Sequence, residues 1–291
     1  MTAMDRYVIA GNPVAHSQSP FIHARFAEQT GQPLTYDRLL CPLDGFEHAV
    51  RQFAQAGGRG CNITMPFKTN AWRVVANTAA QLSERAALAE ACNVLRFDGE
   101  ADWFADNTDG VGLVRDIQAN AQRVLAGARV LMLGAGGAAA GALGPLLQAR
   151  PVELVVANRS VDKAQALVER HAVLAAAEGV LLKAASLLHC GNAFDVVINA
   201  TASSLSRAGI PVKADVLKPG TLALDMAYGS SAQTYLSWAE AHGAIGRDGL
   251  GMLVEQAAEA FFVWRGVRPD TAPVLAALIQ HLKAATFVKP T

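Results

Sequence analysis

The run ARVLMLG leads directly into GAGGAAAG, where Gly134, Gly136 and Ala139 fit the spacing G-x-G-x-x-A. Between a strand and a helix that spacing serves a pyrophosphate. Glycine permits the tight turn, the backbone from Gly134 through Ala135, Gly136 and Gly137 to Ala138 can approach the anion, and the helix N-terminus favours its charge. At the end of the next strand, where an acid would bind a ribose 2′-hydroxyl, the chain carries Asn158-Arg159-Ser160, with Lys163 a turn later. An acid there repels a 2′-phosphate, whereas a guanidinium attracts it and grips it bidentately. NADP rather than NAD is the expected cofactor. The plainer alternative, a solvated helix start, sits poorly with two cations at a helix N-terminus that has no anion to offset them.

A second polar segment, GNPVAHSQSP, follows the first strand-like run. Ser19 before Pro20 reads as a helix cap, with proline at the first helical position; Ser17 has no such structural reason to be there. Two hydroxyls beside a helix N-terminus also make a carboxylate site. Lys68, beyond the proline of NITMPFK, and Asp109, in DNTDG, read in isolation as a surface lysine and an aspartate near a helix start. Gln256 lies on the helical stripe Met252, Gln256, Ala260, Trp264, where an amide is costly unless paired, with backbone or with a ligand.

The elements that must position these groups alternate between strand-length apolar runs and longer helical segments. RYVIA precedes a helix after Pro20, LTYDRLL a helix across Phe46 to Ala56, and RGCNI helices near 69–89. A second series follows Asp106: a helix over 110–124, ARVLMLG, a helix over 138–149, VELVVA, a helix over 160–176, the strands GVLL, FDVVIN and TLALDM, and a helix near 232–241. Such alternation predicts an α/β chain with mostly parallel sheets. The polar ADNTDG stretch and the glycine-rich IGRDGLG read as hinges. They bound a doubly wound, Rossmann-type parallel-sheet NADP-binding domain over 107–246. The helices at 250–265 and 272–287 have no sheet of their own, so they complete an N-terminal α/β domain, giving 1–106 with 247–291.

With 25 basic against 25 acidic side chains, no field of one sign exists to collect nucleic acid or an anionic membrane. Cys41, Cys61, Cys92 and Cys190 are scattered, without C-x-x-C pairs or clustered histidines, so neither a metal site nor a disulfide framework is expected. They read as buried thiols in a reducing compartment, and with no signal-like start and no apolar run of membrane length the expected location is the cytoplasm. A neutral surface of this size suits a monomer or a homodimer.

The set GNPVAHSQSP, NITMPFK, ACNV, DNTDG, GAGGAA, NRS-x-x-K, INAT, DMAY and GLGMLVEQAAEAF follows the order and approximate spacing of the shikimate dehydrogenase family, which the chain resembles from Tyr7 to the last helix. H-S-x-S-P, the P-F-K loop and D-N-T-D-G are specific to that family and its quinate-using relatives. The resemblance implies a substrate domain completed by C-terminal helices, a Rossmann domain, and NADP-dependent reversible reduction of 3-dehydroshikimate to shikimate, in the biosynthesis of chorismate and the aromatic amino acids. It implies Lys68 and Asp109 as the catalytic pair and Ser17 and Ser19 as ligands of the substrate carboxylate. It further implies Thr64, Asn93 and Gln256 at the substrate hydroxyls, Tyr228 near the ring, and Gly249 and Met252 beside the cofactor. Two segments depart from the family pattern. ATASSLS lacks the glycine that commonly follows the INAT strand, and DMAY continues GSS rather than x-P. A quinate-accepting dehydrogenase and, outside catalysis, an NADP-binding redox sensor are the competing readings; a sensor has no use for Lys68 and Asp109.

Overall fold

A computed structural model describes residues 4–76, 81–99, 102–201, 210 and 212–287. Two compact units emerge: residues up to Thr108 together with those from Val254 onward, and Asp109–Leu253. The second crossing between them thus falls after Leu253, seven residues beyond the expected 246/247 boundary.

The first unit is built on β1 (Asp5–Gly11), β2 (Leu34–Leu40), β3 (Gly58–Ile63), β4 (Gln81–Leu82), β5 (Val94–Phe97) and β6 (Trp103–Asp106), in the order β2-β1-β3-β5-β6-β4. β1 runs parallel to β2 and β3, whereas β5 is antiparallel to both β3 and β6. The stretch expected as helices near 69–89 is α3 (Lys68–Ala76) and α4 (Glu84–Ala89), with the two-residue β4 between them. Along β1, Val8 and Ala10 pack with Phe46, Val50 and Phe53 of α2 (Phe46–Gln55), while Tyr7 and Ile9 point to the other face. This period of two with apolar residues on both sides marks a strand buried in the middle of a sheet.

The face of Tyr7 is covered by α1 (Ser19–Thr30) and by two later helices, α9 (Leu250–Arg265) and α10 (Thr271–Phe287). Trp264 stacks on Tyr7 at 4.6 Å between ring centroids and donates from Nε1 to the Leu95 carbonyl at 3.0 Å. Gly60 makes this approach possible: a Cβ there would lie 2.7 Å from the indole nitrogen. Arg265 closes the seam by pairing with the Asp5 carboxylate and donating to Gln32 Oε1.

Among its described residues the second unit carries six parallel strands, β7 (Arg129–Leu133), β8 (Glu153–Asn158), β9 (Leu181–Ser186), β10 (Val196–Asn199), β11 (Leu222–Asp225) and β12 (Ile245–Arg247), in the order β12-β11-β10-β7-β8-β9. Counted from its first strand this is 6-5-4-1-2-3, the Rossmann order, with the topological switch between β7 and β10. Its helices among the described residues are α5 (Asp109–Arg115), α6 (Gly137–Gln148), α7 (Val161–Ala177) and α8 (Gln233–Ala241). The helix expected over 110–124 is shorter: α5 continues only as a π-helical turn, Asp116–Asn120, and the chain leaves it through Gln122 in the left-handed region at φ 53°.

Asp116 is wholly buried and receives both Nε and Nη2 of Arg247, at 2.8 and 2.5 Å. All four cysteines are buried free thiols. Among the described residues no helix is long and apolar enough to cross a membrane, and no cluster of His, Cys, Asp or Glu is placed to hold a metal ion.

Candidate active site

In the first unit the polar residues of six separate segments meet on a hydrogen-bonded floor at the ends of β1 and β3. Ser19 is the first residue of α1 rather than its cap; Gln18 holds the cap position without a side-chain bond. Ser17 takes up part of that task, since its Oγ accepts the Ser19 N–H at 3.2 Å and donates to Ser19 Oγ at the same distance. Ser17 therefore does have a structural reason to be there, beside the carboxylate-binding one. Beneath Ser19 lies the Tyr36 hydroxyl, which interacts with it and donates to Asn62 Oδ1 at 2.7 Å. Asn62 Nδ2 in turn reaches the Asn93 carbonyl at 3.2 Å.

From Asn93 the network continues to α9, the helix within which the second crossing falls. Its Nδ2 donates to Thr108 Oγ1 at 2.9 Å and to Gln256 Oε1 at 3.2 Å, while Thr108 N–H donates to Asn93 Oδ1 at 2.8 Å. Thr108 Oγ1 donates to the Gln256 carbonyl at 3.0 Å. The Gln256 amide is thus paired, as a polar group on an apolar stripe must be. Tyr36 and Asn62 were absent from the expected site. Asn62 sits inside the quoted NITMPFK motif, but nothing local marks Tyr36, which looks like one more apolar position of β2.

Thr64 and Lys68 flank this floor. The Thr64 N–H donates to Ala10 and the Phe67 N–H returns to the Thr64 carbonyl, forming a tight turn whose Phe67 ring is buried against Phe46 at 4.8 Å. That anchor sets the start of α3, where Lys68 is half-buried and its carbonyl accepts from Cys92 N–H at 2.9 Å. The DNTDG segment, read as a hinge, contains the first boundary between the units, at Thr108/Asp109, and is buried from Asp106 through Gly110. Its polar groups are paired internally, so polarity did not mean solvent. Asp109 opens α5 and belongs to the second unit.

In the second unit the glycine-rich turn has the form a dinucleotide requires. Gly134 sits at φ 108° with Ala200 O only 3.0 Å from the position of a Cβ, while nothing lies within 4 Å of one on Gly136 or Gly137. α6 begins there without a side-chain cap, so its amides are open to a pyrophosphate. Ala135 and Ala138 are half-buried beside these glycines. At the end of β8, Asn158 Nδ2 bonds the Ser160 carbonyl at 2.9 Å and fixes the turn into α7, whose N-terminus also lacks a side-chain cap. Arg159, Ser160 and Lys163 are exposed there, a donor set suited to a 2′-phosphate.

Tyr228 is half-buried, and burial pushes its phenol up. Gly249 backs this segment: it donates to Ala227 O at 2.9 Å, and a Cβ on it would stand 2.4 Å from Met226 O. Met252 is buried on the first turn of α9. Of the two departures, residues 202–206 of ATASSLS lie outside the described residues. Gly229–Ser231 of the other form a 3₁₀ turn leading to α8.

Three family models match the chain in succession: the shikimate dehydrogenase substrate binding domain over residues 9–95, shikimate/quinate 5-dehydrogenase over 116–224, and the shikimate 5′-dehydrogenase C-terminal domain over 249–279. A shikimate dehydrogenase (NADP(+)) of Methylibium petroleiphilum is 62% identical over 289 residues, covering 97% of each chain. Among solved structures, an Ael1 enzyme from Pseudomonas putida is 45% identical with a TM-score of 0.83, covering 94% of this chain and 98% of its own. The shikimate 5-dehydrogenase of Thermus thermophilus in complex with NADP(H) and shikimate is 28% identical with a TM-score of 0.78, covering 95% and 99%. From the serines of the first turn to the glutamine of α9, the chain belongs to the shikimate dehydrogenase family.

Proposed function

We propose that this protein catalyses the NADP-dependent, reversible reduction of 3-dehydroshikimate to shikimate. The observation that carries the reading is the continuous floor from Ser19 through Tyr36, Asn62 and Asn93 to Gln256, which aligns a carboxylate site with donors and acceptors for a ring bearing several hydroxyls.

Ser17 and Ser19 hold the substrate carboxylate, with the N-terminus of α1 favouring its charge. Thr64, Asn93 and Gln256 bind the ring hydroxyls, and Tyr228 stands near the ring. The turn from Gly134 to Ala138 holds the cofactor pyrophosphate, Asn158, Arg159, Ser160 and Lys163 its 2′-phosphate end, and Gly249 and Met252 its nicotinamide end. When bound, NADPH supplies the hydride, chemistry that belongs to the cofactor. The protein holds the partners in place and moves one proton. In reduction, the Lys68 ammonium donates a proton from Nζ to the carbonyl oxygen as it becomes a hydroxyl. In oxidation, the neutral amine removes that proton. Asp109 orients Lys68.

The buried free thiols fit a reducing compartment, and a cytoplasmic location is part of this reading. Initial rates of NADP⁺ and NAD⁺ reduction, with shikimate and separately with quinate, test it. Turnover should require shikimate and favour NADP⁺; absence of shikimate oxidation would refute the assignment, and equal rates with quinate would place the protein on the relaxed branch of its family.

A further inference from the structure

The segment leading to Asp109 is fixed by an ionic cluster that plays no part in binding as described above. At its centre is Asp106, the last residue of β6, whose side chain is 2% exposed. Its Oδ1 accepts from Ser83 Oγ at 2.5 Å, from Arg85 Nε at 2.7 Å and from its neighbour's backbone, Asn107 N–H, at 2.7 Å. Arg85 completes a bidentate grip through Nη2 on Oδ2 at 2.5 Å. The same Nη2 reaches Glu259 Oε1 on α9 at 3.1 Å, and the other oxygen of Glu259 is held by Arg268 at 2.7 Å.

One guanidinium therefore ties together two stretches of chain far apart in sequence. One carries the Asp106–Thr108 turn out of which Asp109 emerges. The other is the helix on which Gln256 precedes Glu259 by three residues, close to one turn, and so shares its face. A planar fork with five donors can bind both carboxylates in fixed directions, which an ammonium cannot. We propose that Arg85 is a positioning residue for the proton-transfer chemistry. By clamping Asp106 to Glu259 it fixes both the turn that presents Asp109 and the helix that presents Gln256. This rests on the roles given above to Asp109 and Gln256.

Misplacing a reacting group by about 1 Å can cost on the order of 10²-fold in rate. Arg85→Met should accordingly lower kcat and the single-turnover rate of NADP⁺ reduction by about ten- to a hundredfold, with a smaller rise in KM for shikimate through Gln256. Because that variant leaves Asp106 buried without its cation, the decisive protein is Arg85→Met/Asp106→Asn, which removes both charges and leaves an amide oxygen to accept from Asn107. It should fold and still turn over slowly. A wild-type single-turnover rate in the double variant would overturn the proposal, showing that Arg85 only neutralises a buried charge. Asp109→Asn, measured alongside, separates the two assignments. Full turnover by Asp109→Asn would sink the catalytic role of Asp109 itself, whereas loss there with a fast double variant would sink the role of Arg85 alone.

Discussion

Lowering the pH should destabilise the first unit through one side chain, His23. It lies on α1 one turn beyond Ser19, 1% exposed, with its ring stacked on Tyr36 at 4.2 Å and nearly parallel to it. Burial lowers its pKa to about 3, the Asn62 side chain opposing this only in part, and neither ring nitrogen makes a well-formed hydrogen bond. A histidine that stays neutral in the folded chain but protonates near 6.5 when unfolded costs stability as pH falls from about 6.5 towards 3. Between pH 7 and pH 5 the unfolded state gains about three quarters of a proton that the folded state refuses. Weighted by the two protonation equilibria, the loss comes to about 2 kcal/mol. For a unit of this size that corresponds to a fall in Tm of roughly 4–8 °C. His23→Phe keeps a ring against Tyr36 and removes the titration, so its first unit should lose little stability over the same range. Urea unfolding at pH 7 and pH 5, followed by the fluorescence of Trp264, measures the difference. A variant that loses as much stability as the parent would refute the account. The second unit carries its own buried histidine, His171, lowered to about 4 by burial, and should keep its acid sensitivity in this variant.

Four further outcomes follow from the geometry. Lys68→Ala should lower kcat by about 10²–10⁴ with a smaller effect on shikimate binding; retained turnover with weakened binding would make Lys68 a binding residue only. Arg159→Ala should weaken NADPH far more than NADH in direct titration, and equal losses would remove the 2′-phosphate from its account. Gly249→Ala places a methyl group 2.4 Å from Met226 O, so it should displace the Met226–Tyr228 backbone and impair turnover; kinetics matching the parent would show that the backbone yields freely. Arg247→Met leaves Asp116 buried without its partner and should destabilise the second unit by about 3–5 kcal/mol, read as a loss in chemical unfolding.

The Rossmann unit was legible because its inner strands β7, β10 and β11 are apolar runs, and the glycine turn follows one of them; the edge strand β12, three partly exposed residues, lies inside the stretch read as a hinge. The middle of the first unit was not. β5 and β6 are four residues each and β4 is two, so none is a run long enough to separate from the helices around it. Ser19, Asn93 and Gln256 were singled out through motifs, but the bonds that link them by way of Tyr36 and Asn62 were not. Asn93 and Gln256 lie 163 positions apart, and only folding brings them together. The same limit hid Arg85, whose partners are 21 and 174 positions away. The first boundary between the units does fall within DNTDG, but the burial of that segment was hidden for a related reason. Composition records that a segment is polar, and cannot record that every polar group in it has found a partner.

The return of α9 and α10 to the N-terminal sheet has a consequence for the order of assembly. Residues 109–253 are contiguous, so the Rossmann unit has all of its chain once Leu253 leaves the ribosome. The first unit does not: Tyr7 lacks its stacking partner and Asp5 its cation until Trp264 and Arg265 are made. During synthesis β1 must wait with one apolar face covered only in part, by α1, while the whole second unit is translated, at about 5–20 residues per second. For that interval of about 10–30 s the nascent N-terminal half is the part of this protein most in need of a chaperone.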